Sequence, residues 1–412
     1  MLENFRNHID LYFPHLKEGT FLLACSGGLD SVVLAHLCAS YNLDFSLAHC
    51  NFKLRGEESD KDEDLVRKLG EQLGKEIFVT SFDTHGYMAQ HRTNLQIAAR
   101  ELRYNWFSQI MENHHIKTLV TAHHADDSLE TFIINLSRGT GIEGLSGIPS
   151  LTNTISRPLL QFSRTEIKKY AEANALHWRE DASNENTKYL RNNIRHNIIP
   201  KLKELNPHFL ENFLKTQEHL GQTQEILHRH ITQLKKQLFS KEKMVEKVKV
   251  ASLLALRPTK TYLFHFFREY GFTQWDDIYG LLSANSGKEV HSNTHRLLKD
   301  RDFLLLKPIV QKNTKDFYIE GDQESVSEPI YLKLSHVKAI GETSPNIIYV
   351  DKETLKYPLI VRKCQKGDYF YPLGMSGKKK ISKFFKDAKM DVFAKENQWL
   401  LCSGDNIVWI IG

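Results

Sequence analysis

Ser26-Gly27-Gly28-Leu29-Asp30-Ser31 places two glycines and two hydroxyls within six residues, directly after the apolar run Phe21-Leu-Leu-Ala-Cys25. Glycine lets a backbone turn tightly and bring its N–H groups close to an anion. A helix opening at the end of this segment adds unsatisfied N–H donors and the positive end of its dipole. Together these features cradle phosphate. The segment is not a G-x-x-x-x-G-K-[ST] loop, because it has no lysine. Asp30 beside phosphates calls for a bridging cation, for which magnesium is suited. The plainer alternative is a glycine turn with an Asp/Ser cap.

A second group, Thr121-Ala-His-His-Ala-Asp126-Asp127-Ser-Leu-Glu130-Thr131, follows another apolar run. Asp127 and Glu130 are three residues apart, so a helix there carries both carboxylates on one face near its N-terminus. Such a pair holds a cationic substrate or accepts a proton, or simply caps the helix. The adjacent histidines lack the H-E-x-x-H spacing of a zinc site. His49-Cys-Asn51-Phe-Lys-Leu-Arg55-Gly-Glu-Glu-Ser59 brings polar and basic groups to the end of a third apolar run. Arg100, Arg103 and Tyr104 share a helical face, as do Arg191 and Arg195, which follow Glu180-Asp181-Ala-Ser183-Asn184. Guanidinium groups recognise carboxylate or phosphate. Gly139-Thr-Gly-Ile-Glu-Gly144 fits G-x-G-x-x-G but follows a helical segment, not the strand that a dinucleotide fingerprint requires.

The elements that must carry these groups alternate. Phe21–Cys25, Phe45–His49, Glu76–Thr80 and Thr118–Ala122 have the character of buried strands, and helices are expected over Ser31–Ala39, Asp60–Leu73, Asn94–Glu112 and Ser128–Leu136. Strand–helix alternation predicts an α/β fold with a doubly wound, mostly parallel sheet. Ligands in such sheets bind at the carboxyl ends of strands, where the motifs fall. Beyond Asn206-Pro207 the pattern becomes helical over His208–Lys243, and a small helical domain is expected over Val250–Leu306. Lys312–Glu328 is polar and turn-prone, a linker by composition, and strands dominate from Ile330. The domain boundaries expected are 1–205 (catalytic), 206–243 (connecting helix), 244–310 (helical) and 330–412 (basic and β-rich).

With 412 residues and 41% hydrophobic content, the chain has material for several cores. The longest uncharged apolar stretch, Ser31–Leu43, falls well short of the ~20 residues of a membrane helix. No signal peptide is visible at Met1-Leu-Glu-Asn-Phe-Arg, and a cytoplasmic location is expected. The five cysteines form no C-x-x-C pair, which argues against a structural zinc, an iron–sulfur cluster or a disulfide scaffold. Net charge is +5 overall, and residues 351–412 alone hold 12 Lys/Arg against 7 Asp/Glu, which accounts for all of it. Lys378, Lys379, Lys380, Lys383 and Lys386 surround Phe384 and Phe385, an arrangement that suits an acidic polymer, with the phenylalanines read as core.

The Ser26–Ser31 signature S-G-G-x-D-S resembles that of the PP-loop ATP pyrophosphatases. Taken with His49–Ser59, Ala98-Ala-Arg-Glu-Leu-Arg-Tyr104, Thr121–Asp127, Arg191-Asn-Asn-Ile-Arg195, Gly367-Asp-Tyr-Phe-Tyr-Pro-Leu-Gly374 and Lys378–Phe385, the chain resembles the long-form tRNA(Ile)-lysidine synthetases over nearly its whole length. That resemblance implies ATP, Mg2+ and free L-lysine acting on the wobble cytidine of an isoleucine tRNA with a CAU anticodon. It assigns ATP to Ser26, Gly27, Gly28, Leu29, Asp30, Ser31, His49, Asn51 and Arg103, and magnesium to Asp30. Asp30, Asp127 and Glu130 become the catalytic acids, and Asp127, Glu130 and Arg195 the lysine site. The tRNA falls to Arg55, Arg100, Arg191, Arg362, Lys378, Lys379, Lys380 and Lys383. The rival readings are a tRNA thiolase, which would need sulfur-carrying cysteines, and a non-catalytic tRNA-binding module. Whether the chain is a monomer or a homodimer is left open.

Overall fold

The computed structural model describes residues 1–180, 190–242, 244–309, 315–342, 344, 346–374, 377–390 and 392–412. Asp181, Ser183 and Asn184 therefore lie outside the described residues. The chain divides into two compact units, Met1–His228 and Arg229–Gly412.

The first unit is built on a parallel sheet of β1 (Phe21–Ala24), β2 (Phe45–Asn51), β3 (Ile77–Ser81), β4 (Leu119–Val120) and β5 (Ile155–Ser156), in the order β3-β2-β1-β4-β5. Its helices include α1 (Leu2–Tyr12), α2 (Leu29–Ser40), α3 (Glu57–Leu73), α4 (Thr84–His91), α5 (Leu95–Asn113) and α6 (Ala125–Ser137). Successive β1 side chains point to opposite faces. Phe21 and Leu23 pack with Val32, Val33 and Leu37 of α2 and with Phe5 and Ile9 of α1. Leu22 packs on the other face with Phe107 and Ile110 of α5. Both faces are covered, which is why the strands read as unbroken apolar runs.

From β1 the chain winds outward to β3, then crosses back to β4 and β5 on the other side. The winding direction thus reverses between β1 and β4. A crevice opens at such a switch point, outside the carboxyl ends of the two strands. The Ser26–Ser31 loop leaves β1 there, and Thr121–Asp127 leaves β4. The strand β5 has no counterpart in the sequence reading, since two residues carry no detectable period.

Arg191 and Arg195 do not share one regular helix. Leu190–Asn193 is α-helical, Ile194–Ile198 forms a wider π-helical turn, and Ile199–Leu205 resumes the α-helix. Pro200 accounts for the change. It donates no N–H and its ring crowds the carbonyl four residues back, which the wider turn relieves. Phe209–Leu238 is one 30-residue helix, after which Phe239–Glu242 turns into a strand instead of extending it to Lys243.

Two larger antiparallel sheets and two two-stranded ribbons make up the β-structure among the described residues of the second unit. One larger sheet orders Phe239–Glu242, Val245–Lys249, Phe303–Pro308, His295–Asp300 and Glu289–His291. The stretch 244–310, expected to be helical, is mixed: helices at Val250–Ala255, Thr259–Phe267 and Trp275–Leu281 share it with four strands of this sheet. The other orders Phe317–Ile319, Leu359–Lys363, Trp399–Ser403 and Asn406–Ile410. Its first strand lies inside the polar stretch read as a linker. Phe317 and Ile319 alternate into the core with Leu359 and Val361, too briefly for periodicity to register. Ile381 and Phe385 of the helix Ile381–Asp387 are buried with Leu400 and Cys402, and Phe384 packs against them.

Candidate active site

The Ser26–Ser31 loop is held in shape by its own hydroxyls. Ser31 Oγ accepts from the Ser26 N–H at 3.2 Å and donates to the Gly28 carbonyl at 3.0 Å, while the Gly28 N–H donates to Ser26 Oγ at 3.3 Å. Gly27 adopts φ +84°, and a Cβ there would stand 3.3 Å from the Asp62 carbonyl. No side chain caps α2, so its first turn keeps its donors for an anion. From the opposite side the Arg179 N–H donates to the Gly27 carbonyl at 3.1 Å. Asp62 accepts from Arg179 Nε and from Arg55 Nη2, each at 2.6 Å. Arg55 thus bears on the support of the loop.

Across the switch point, α6 begins with a capping box: the Asp127 carboxylate accepts from the His124 N–H at 3.1 Å. The His124 ring, 2% exposed, bridges the two loops. Its Nε2 lies 3.6 Å from Asp30 Oδ2 and 3.5 Å from Asp127 Oδ2. The structure therefore brings Asp30, in the first turn of α2 after β1, within one imidazole of Asp127, in the first turn of α6 after β4. Burial raises the Asp30 pKa, and the neighbouring Asp127 charge adds to this. Asp30 Oδ1 is buried without a hydrogen-bond partner.

Glu130, one helical turn further, is fully buried. Arg195 bonds both of its oxygens and also donates from Nη2 to Asp127 Oδ1 at 3.0 Å. Arg191 Nε approaches Glu130 Oε2 at 3.3 Å, and its Nη2 donates to Thr131 at 2.6 Å. The two acids are pushed apart electrostatically. Burial raises the Glu130 pKa despite both arginines. It also works against ionisation of Asp127, but His124, its amide and Arg195 outweigh it, so that carboxyl lies below its usual range.

Other expected residues occupy less direct positions. His49 is buried, with Nδ1 2.9 Å from the Cys25 carbonyl. Asn51 donates to Asp60 and Glu63 at 2.9 and 3.0 Å. Both brace strand ends. Arg103 lies over the Phe52 ring at 5.2 Å and Arg100 over Tyr104 at 4.7 Å. In the second unit Arg362 forms a two-pronged pair with Asp368, at 2.8 and 3.0 Å. Lys379 pairs with Asp387 at 2.7 Å, whereas Lys378, Lys380 and Lys383 are exposed. Among the described residues, no group of three His, Cys, Asp or Glu side chains could hold a metal ion. No described helix is long and apolar enough to cross a membrane.

Four residues central to this geometry had no role in the sequence reading. His124 bridges the acids, and Arg179 braces Gly27. His123 is held neutral by burial, its pKa lowered to about 4, with Nδ1 2.9 Å from the Thr121 hydroxyl. Arg157, 7% exposed at the end of β5, donates to the Pro149 carbonyl at 2.8 Å and keeps a buried Nε without a partner. Of these, only the His-His pair left a trace in the sequence.

A parallel sheet with a serine- and glycine-lined phosphate loop at its switch point defines the PP-loop class, and residues 1–202 match a family described as the PP-loop domain. Residues 240–309 match the TilS substrate binding domain, and residues 359–412 the TilS substrate C-terminal domain. Curated relatives align almost end to end. A tRNA(Ile)-lysidine synthase from Parabacteroides distasonis is 37% identical over 100% of this chain and 95% of its own length. Those from Bacteroides thetaiotaomicron and Porphyromonas gingivalis are 37% and 36% identical over 96% and 95% of this chain, and 91% and 89% of theirs. The chain belongs to the tRNA(Ile)-lysidine synthase family.

Proposed function

We propose that the chain joins the ε-amine of free L-lysine to carbon 2 of the wobble cytidine in an isoleucine tRNA with a CAU anticodon, converting ATP to AMP and pyrophosphate. The observation that carries this is the meeting, through His124, of the phosphate loop and the Asp127–Glu130 face. The cytosine 2-oxo group is a poor leaving group. Its oxygen attacks the α-phosphorus of ATP, and pyrophosphate departs. The lysine ε-amine then attacks carbon 2, gives up a proton, and AMP leaves with the former oxo oxygen. The wobble base must leave the anticodon stack to reach the crevice.

Within this reading Ser26–Ser31 and the first turn of α2 hold the ATP phosphates. Asp30 fits a magnesium site, because its orphaned Oδ1 is one carboxylate oxygen beside a phosphate seat, and magnesium takes few protein ligands there. Bound magnesium supplies charge neutralisation for the departing pyrophosphate. Asp127, Glu130 and Arg195 take the lysine. Exposed Lys378, Lys380 and Lys383 meet tRNA phosphates, while the Arg362 pair with Asp368 shapes the sheet. The setting is the cytoplasm, where tRNA, ATP and lysine meet. A tRNA thiolase is disfavoured by the thiols themselves: burial raises the Cys25 pKa and pushes Cys50 up to about 12, so neither is a ready thiolate.

One contact favours a second reading of the lysine seat. Arg195 touches both acids at once. The α-amino and α-carboxylate groups of lysine sit on one carbon, so a mixed cluster of this size suits that head group, with the ε-amine extended toward the base. Norleucine, which has the head group and lacks the ε-amine, separates the two: it competes with lysine only on the head-group reading.

The overall test is incubation with ATP, radiolabelled lysine and an isoleucine tRNA transcript bearing CAU. Label should enter the RNA and fail to enter when the wobble cytidine is replaced by uridine. Incorporation indifferent to that base would overturn the proposal.

A further inference from the structure

The C-terminal lysine run does not present a uniform face. Tyr369–Phe370 and Lys379–Lys380 form a two-stranded antiparallel ribbon, with Tyr369 opposite Lys380 and Phe370 opposite Lys379. Opposite residues in such a ribbon project to the same side, and neighbours along a strand to opposite sides. The Phe370–Lys379 side is turned inward. Phe370 packs against the Ile381, Phe385 and Leu400 cluster, and Lys379 is tied to Asp387 and lies 5.7 Å over the Phe384 ring.

The other side is open. Tyr369 is 40% exposed and Tyr371 61% exposed, with ring centroids 5.9 Å apart, edge to face. Continuing the register by one step on this side sets Tyr371 against Lys378, and Lys378 Nζ stands 4.8 Å over the Tyr369 ring. Lys378 and Lys380 are both exposed. Two tyrosine rings therefore lie among two ammonium groups on one face, with no carboxylate pairing those ammonium groups among the described residues. The phenylalanines inside the lysine run, which would have offered rings to a nucleic acid, are instead part of the core.

We propose that this face is a stacking platform for an unpaired nucleobase of the tRNA substrate, with Tyr371 under the base and Lys378 and Lys380 on its flanking phosphates. The inference rests on the tRNA-modifying reading above. Aromatic rings interleaved with cations are how proteins hold unstacked bases without reading sequence. A base can stack on the ring face while the phenol hydroxyl stays in water, and the side chain, with two torsions, loses little entropy on contact. Lys379, on the inward side, takes no part.

The test measures affinity for the full isoleucine tRNA and its dependence on salt, with lysidine formation by the parent protein as the reference. Tyr371→Ala should weaken binding roughly fivefold or more, as expected for losing one stacked base. Its salt slope should stay that of the parent, because stacking releases no counterions. Tyr371→Phe should bind as the parent does. Lys380→Ser should lower the slope by about one, and Lys379→Ser should leave it unchanged. The residues substituted at 371 and 380 are exposed, so the fold is not at stake. Unchanged affinity in Tyr371→Ala, or equal slopes for Lys379→Ser and Lys380→Ser, would overturn the platform. A parent protein that forms no lysidine would overturn the underlying function instead.

Discussion

Asp30, Asp127 and Glu130 are all carboxylates in one crevice, yet their surroundings differ, and the proposed function gives each a different part. Asp30 has an unpartnered oxygen beside the phosphate loop, so Asp30→Ala should abolish pyrophosphate release while tRNA binding, measured by filter retention, stays near the parent value. Turnover equal to the parent's would remove Asp30 from the mechanism. Glu130 is fully buried against Arg195 and Arg191. Glu130→Gln should raise the KM for lysine tenfold or more, on the order expected for a lost charged contact, and move the KM for ATP much less. The same change leaves two guanidinium groups facing a neutral amide, so Tm should fall as well. Equal shifts in both KM values would detach Glu130 from the amino acid. At this scale the sequence was informative about type and weak about partnership. The i, i+3 spacing of Asp127 and Glu130 was visible, and the family resemblance grouped Arg195 with them, but that His124 would bridge to Asp30 depends on β1 and β4 lying side by side. No local pattern encodes that adjacency.

Elements explain why the loop is shaped as it is. Gly27 combines φ +84° with Asp62 backbone 3.3 Å from any added Cβ, and α3 cannot retreat because Asp62 is clasped by Arg55 and Arg179. Gly27→Ala should destabilise the first unit by about 1–2 kcal/mol through the left-handed backbone alone, and the displaced loop should raise the KM for ATP. Calorimetric stability and an ATP titration check the two effects separately. A variant with parent-like stability and affinity would show that the loop tolerates a Cβ. Long strands and helices were legible because their apolar period repeats. The two-residue β5, the three-residue strand Phe317–Ile319 and the π-helical turn at Ile194–Ile198 were not, since each is too short to repeat its period.

Over the whole molecule, acidic chemistry and basic surface are segregated. The crevice acids belong to the first unit and the lysine excess to the end of the second. Composition made that division readable, although not which lysines are available: Lys379 and Arg362 are committed to Asp387 and Asp368. Replacing Lys378, Lys379 and Lys380 together with serine should therefore flatten the salt dependence of tRNA binding by about two units instead of three. A parent-like slope would remove the cluster from the tRNA contact.

The wide turn at Ile194–Ile198 also bears on what lengths the chain can adopt. Regular winding advances about 100° per residue, so deleting one residue between 194 and 198 would close the wide turn, press the Pro200 ring against the preceding turn, and swing Arg195 relative to everything after it. The exposed side chains of Asn197 and Ile198 can be exchanged with modest effect, but the number of residues cannot, and the first unit is for that reason less forgiving of a one-residue deletion at this point than of substitutions at those two positions.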